Sequence, residues 1–152
     1  MEIEPNIIPI GYRVRSFEMK RDFVMVNQWS RAHGRDGLPA AYLPPDGIIL
    51  TLQGEPIAAG WLYKSLGVGV AFLEHVHTRP GLTPKQAREA IAVLVTYFRD
   101  NAKADNYGVL LAHTYPAMAR VAKKDGWHVL GEDRVAIGIE TGLELSAERG
   151  AA

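Results

Sequence analysis

Between Val68 and Lys103 the chain reads VGVAFLEHVHTRPGLTPKQAREAIAVLVTYFRDNAK, and few local structures can accommodate it. Val70 to His77 is dense in Val, Phe and Leu, which predicts a strand with at least one buried face. Arg79-Pro80-Gly81 ends that strand, because Pro80 has no N–H to give to a sheet ladder. Thr83-Pro84-Lys85-Gln86 then opens a helix. Thr is a good N-cap, Pro suits the first helical position, and Gln three residues after Thr completes a capping box. Ala87, Ile91, Leu94, Val95 and Phe98 follow at three- and four-residue spacing along one helix face. A strand that feeds a helix through a tight turn leaves free N–H groups at the helix start, which suits an anion such as phosphate.

The remaining elements surround this unit. Tyr12 to Phe17 alternates as a strand does, and Lys20 to His33 reads as a helix with Phe23, Val26 and Trp29 inward and Gly34 at its end. Gly37 to Gly47 holds too many prolines for a helix, with Tyr42 and Leu43 as anchors. Ile48–Leu52 and Pro56–Tyr63 flank Gln53-Gly54-Glu55, a hairpin signal. After a turn at Asp105–Gly108, Val109–Thr114 reads as an interior strand. A helix then runs from Tyr115 or Pro116 to about Lys124, stopped by Asp125-Gly126. Trp127 restarts the chain as a strand, and Val129-Leu130 with Val135–Ile139 form a closing hairpin around Glu132-Asp133. The order is β-α-loop-β-β-β-α-β-α-β-β.

Composition narrows the function classes. At 152 residues with 47% apolar content, the chain suits one domain with a proper core. Zero net charge argues against a general nucleic-acid binder. With no cysteine there is neither disulfide nor thiolate chemistry. No apolar run reaches the roughly 18 residues of a membrane span, and the start lacks the basic residues of a signal peptide, so a cytoplasmic location is expected.

Leu73-Glu74-His75-Val76-His77-Thr78-Arg79-Pro80 resembles the fourth strand of the GNAT acetyltransferase superfamily, and the order of elements is similar across roughly residues 10 to 140. Lys124-Asp125-Gly126-Trp127 resembles the family's Gly-Phe after its last helix. Asn27 to Gly34, with Leu43-Pro44 and Gly47, is similar to a phage- or prophage-encoded GNAT-like subgroup that carries a glycine-poor, Pro-rich turn. The resemblance implies an α/β (α+β) fold. Its central sheet is mixed and mostly antiparallel, with six to seven strands flanked by three to four helices. Residues 1–142 are expected to form one GNAT-like domain, with 143–152 a disordered tail.

The resemblance also implies chemistry. Acetyl-CoA is the expected acyl donor and an amine on a small molecule or protein the acceptor. Glu74 is the candidate base, since an amine must be neutral to attack a thioester. Val76, His77 and Thr78 fall where the family's strand meets the pantetheine arm. Arg79, Lys85, Gln86, Ala87 and Arg88 fall at the pyrophosphate. Trp29, His33 and Tyr42 lie toward the acceptor pocket. Two departures stand out. No glycine lies between Thr83 and Arg88, so weak CoA binding is expected, and Ala122 occupies the place of the family's acidic Tyr. His75 and His77 share one side of a strand, with His113 next door, but their spacing favours a polar patch and no metal is expected. Three readings follow. The first is a transferase that moves an acetyl group from acetyl-CoA to an amine. The second is a phage-type protein that modifies nucleic acid or meets a host-defence protein. The third is a non-catalytic binding module on the same fold. The apolar run Val135–Ile139 permits a homodimer through the last strands.

Overall fold

The computed structural model describes residues 8–133, 137–139 and 141–142. Five strands and three helices lie among these residues: β1 Tyr12–Ser16, α1 Met19–Ala32, β2 Gly47–Leu52, β3 Glu55–Lys64, β4 Val70–Thr78, α2 Pro84–Ala104, β5 Val109–Ala112 and α3 Pro116–Lys124. The strands lie in sequence order in one sheet, β1-β2-β3-β4-β5. Neighbours are antiparallel until the last pair, β4 and β5, which run parallel. The architecture is thus the expected mixed, mostly antiparallel α+β sheet, with five strands among the described residues against the six to seven expected. Trp127 to Leu130 form no strand, and the hairpin partner Val135-Ala136 lies outside the described residues, as does the segment 143–152.

Local chemistry accounts for each junction. Gln53 and Gly54 both take positive φ, 50° and 85°, the pair of left-handed residues that a two-residue hairpin of matching twist requires. At α2, Thr83 Oγ1 accepts from the Gln86 N–H and Gln86 Oε1 accepts from the Thr83 N–H, so the capping box is formed in both directions.

The sheet is buried on both faces. On one, Ile48, Leu50, Ala58, Leu62 and Leu73 pack against Leu94 and Phe98 of α2. On the other, Ile49, Ala59 and Trp61 pack against Val26 and Trp29 of α1 and against Leu38. Trp61 is fully buried, and its indole lies directly over Gly47, where a Cβ would sit 2.2 Å from Nε1. The start of α1 is tied to β1 by an ion pair. Asp22, 2% exposed at its side chain, accepts from Arg15 Nη1 and Nη2 at 2.7 and 2.8 Å and from the Glu18 N–H at 2.9 Å. Leu43 packs against the α1 cluster, whereas Tyr42, in a short 3-10 turn at Ala40–Tyr42, stays exposed.

Candidate active site

Two irregularities of the sheet create the site. First, β5 pairs with β4 only from Val70 to Leu73, so Glu74 to Thr78 run on without a strand partner on that side among the described residues. Second, the β3–β4 register shifts between Ala59↔His77 and Trp61↔Glu74, which sets His75 and Val76 together opposite Gly60. This is a β-bulge, with His75 at a φ of 54°, unusual for a residue with a side chain. Gly60 is suited to the place. A Cβ there would meet Leu94, Phe98 and Val76 at 3.2–3.4 Å. The bulge resets the alternation of β4. Val76 turns into the α2-side core, while Phe72, Glu74 and His75 line one pocket on the opposite face.

That pocket, about 280 Å³ in volume and open to solvent, is also lined by Tyr42 and Tyr63. Tyr63 Oη donates to the Tyr42 carbonyl at 3.2 Å, and with its proton there the oxygen accepts from His75 Nε2–H at 3.0 Å. Burial, followed by the field of Tyr42 and of Glu74, pushes the Tyr63 phenol up to about 12, so it stays protonated. Burial also holds the His75 imidazole below its ordinary range, against the opposing pull of Glu74, so His75 is neutral at pH 7. Glu74 is then the one charged residue among the five that line the pocket.

Glu74 does not stand alone. Its Oε1 lies 2.6 Å from Nδ1 of His113, which follows β5. An ionised carboxylate has no proton to offer, so the ring donates. Glu74 is 20% exposed and His113 is 72% exposed, so the pair bridges the two strands where they part, with its carboxylate end inward. His113 also lies parallel to the Phe72 ring, centroids 6.5 Å apart.

The other expected site residues take distinct places. His77 is partly buried near His33 and Arg35. Burial first, then the fields of His75, Arg35 and His33, lowers its imidazole to about 4. His33 Nε2 lies 2.9 Å from the Thr78 carbonyl, a contact that joins the end of α1 to the end of β4. The Arg79 N–H donates to the Ile57 carbonyl. Trp29 is buried in the α1 core and does not line the pocket, nor does His33, whereas Tyr42 does. Arg35 reaches from the loop after α1 to the start of α3, its guanidinium carbon 3.3 Å above the Tyr115 ring. The three histidines do not converge. His75 pairs with Tyr63 and His113 with Glu74, and among the described residues no group of three or more potential ligands gathers to hold a metal.

The residues present suit a CoA-type acyl carrier in part. The unpaired side of β4 from Glu74 offers main-chain groups, although His33 already engages the Thr78 carbonyl. At the start of α2, Pro84 has no N–H, Gln86 N–H goes to Thr83 Oγ1 and Ala87 N–H to the Thr83 carbonyl. The Lys85 N–H is the donor left at that end, beside the exposed Lys85 and Arg88 side chains. A pyrophosphate there would rest on cationic side chains more than on backbone.

Sequence reasoning missed Tyr63 and Phe72 as pocket walls, and His113 as the partner of Glu74. Phe72 and Glu74 lie two apart and so share a face, which was readable. The bulge that adds His75 to that face was not.

No family model matches the chain, and no curated protein matches it. Solved structures do. The N-acetylglutamate synthase of Neisseria gonorrhoeae, complexed with coenzyme A and L-arginine, aligns with 74% of this chain at 13% identity and a TM-score of 0.55. This chain spans 26% of that longer one. An acetyltransferase of Trypanosoma brucei aligns over 84% of this chain and 99% of its own, at 12% identity and a TM-score of 0.57. A tandem GNAT protein from the clavulanic acid biosynthesis pathway aligns over 76% of this chain and 43% of its own, at 15% identity and a TM-score of 0.58. Among the described residues no helix is long and apolar enough to cross a membrane. With its meander running into a parallel β4–β5 pair that parts above a capped helix, this chain has the fold of the GNAT acetyltransferases.

Proposed function

We propose that the protein is an acetyl-CoA-dependent N-acetyltransferase acting on an amine. The observation that carries this reading is the Glu74 carboxylate, set in an aromatic-walled pocket where β4 and β5 separate. Bound acetyl-CoA supplies an acetyl group activated as a thioester. The unpaired edge of β4 and the cations Lys85 and Arg88 would hold it, with Arg79 as a further cation at the turn.

This chain's part in the reaction is to bind the acceptor and take its proton. An ammonium nitrogen has no lone pair. Opposite Glu74 it first gains an ion pair, then gives up a proton to the carboxylate, and the freed lone pair becomes the nucleophile. His113 Nδ1–H on Oε1 leaves Oε2 for that exchange. The rings beside Glu74 give the body of the acceptor apolar and π surface next to that carboxylate.

The test is titration calorimetry with acetyl-CoA and CoA, followed by an acetylation assay with amine acceptors. Micromolar binding is expected, and Glu74→Gln should cut acetyl transfer at least tenfold near neutral pH while leaving CoA binding unchanged. Absence of binding at millimolar acetyl-CoA would refute the reading. An unchanged pH–rate profile in Glu74→Gln would remove Glu74 from its role.

A further inference from the structure

We propose that the acceptor is a small primary amine carried on a flat aromatic body, its ammonium against Glu74 and its ring among Tyr42, Tyr63 and Phe72. The inference deepens the acetyl-transfer reading and rests on it for the fate of the amine; what enters the pocket is argued from the pocket alone.

Charge sets one end of the ligand. Of the five lining residues, Glu74 is the one carboxylate, while Tyr63 and His75 are held neutral. A cation is therefore attracted, and an acceptor that carries its own carboxylate or phosphate finds no cation in the lining to receive it. A polyamine brings a second ammonium for which the lining holds no second carboxylate.

The walls set the other end. Four of the five lining side chains are rings. Such a surface favours an offset or edge-to-face aromatic partner, and the ring faces also attract an adjacent ammonium. A sugar would leave its hydroxyls unpaired against them. Size limits the whole. At about 280 Å³ the pocket lies just below the roughly 300 Å³ at which sites for drug-sized ligands begin, which suits one ring on a short arm.

The polar end is also prepared before the ligand arrives. His113 fixes one carboxylate oxygen, and the hydrogen bonds of Tyr63 Oη with His75 Nε2 and with the Tyr42 carbonyl fix the Tyr63 and His75 rings. Preorganised groups cost less to order on binding.

The experiment is calorimetry without acetyl-CoA, using 2-phenylethylamine and tyramine as probes against n-butylamine, glucosamine, glutamate, spermidine and a single-stranded oligonucleotide. The arylalkylamines should bind at least tenfold more tightly than every other probe. Glu74→Gln should weaken them at least tenfold, and Tyr42→Ala, at an exposed position that does not endanger folding, three- to tenfold. Equal or tighter binding of spermidine, glutamate, glucosamine or the oligonucleotide would overturn the proposal, as would arylalkylamine binding indifferent to both substitutions. Arylalkylamine binding that obeys these expectations but leads to no acetylation would uphold the pocket assignment and overturn the acetyl-transfer reading. Acetylation confined to other amines would do the reverse.

Discussion

Replacing Asp22 tests how the first helix is held against the sheet, and so what carries the loop that brings Tyr42 to the pocket. The Asp22 side chain is 2% exposed and accepts three hydrogen bonds, two from Arg15 and one from the Glu18 N–H. Removing one partner of a buried pair costs about 3–5 kcal/mol. Arg15 keeps 26% of its side-chain surface in water, so it regains solvation when the carboxylate goes, which places Asp22→Ala at the lower end, about 3 kcal/mol. Asp22→Asn keeps the shape and one acceptor oxygen but sets an amide NH₂ against a guanidinium, for about 2 kcal/mol. At roughly 2–4 °C per kcal/mol for a chain of this size, the Asn variant should melt about 4–8 °C lower.

The assay is urea and thermal unfolding of both variants at pH 7, repeated down to pH 3. Burial raises the Asp22 carboxyl, but the Arg15 hydrogen bonds and the Glu18 N–H outweigh it and hold the group below its ordinary 3.8. A carboxyl lowered on folding contributes stability that is complete above its unfolded value and is lost as pH falls through the folded one. The gap between wild type and Asp22→Asn should therefore close on acidification below about pH 4. An Asn variant within about 0.5 kcal/mol of wild type at pH 7, the margin of an ordinary surface substitution, would refute the argument.

Three further outcomes are expected. His77, lowered to about 4 by burial and then by the fields of His75, Arg35 and His33, binds a proton more readily unfolded than folded, so stability should fall as pH drops from 6.5 toward 4; in His77→Gln, urea midpoints across that window should run flatter than in wild type. Gly47→Ala would set a methyl 2.2 Å from Trp61 Nε1 in a fully buried ring, and a loss of at least about 1–3 kcal/mol is expected in denaturant unfolding. Lys85→Ala and Arg88→Ala should each raise the CoA dissociation constant in calorimetry, by more at low salt than at high; identical binding in both would mean that the phosphates are held elsewhere.

Much of this architecture was legible in the chain because its causes are local. The Thr83–Gln86 capping box, the Pro84 start and the apolar face through Leu94 and Phe98 specify α2 through bonds and sterics within a few residues. Gln53-Gly54 specifies the β2–β3 turn because few residues tolerate two successive positive φ angles. Glu74 could be singled out because the strand that carries it resembles the GNAT strand that bears a carboxylate there. The β4 bulge could not, because nothing around His75 requires a positive φ there; the shift arises from pairing with β3 across Gly60. Nor could the meeting of Glu74 with His113, 39 positions apart, which depends on β5 pairing in parallel for four residues and then stopping. Trp29 and Tyr42 illustrate the same division. Both were candidates for the acceptor pocket, yet the packing of α1 buries one against Trp61 and the 3-10 turn brings the other to the pocket. The sequence by itself determined the elements and their order, through short-range hydrogen bonding and apolar periodicity. The tertiary structure alone decided which side chains share the pocket, because that depends on long-range strand register, and one extra residue in a strand changes the face on which the side chains after it lie.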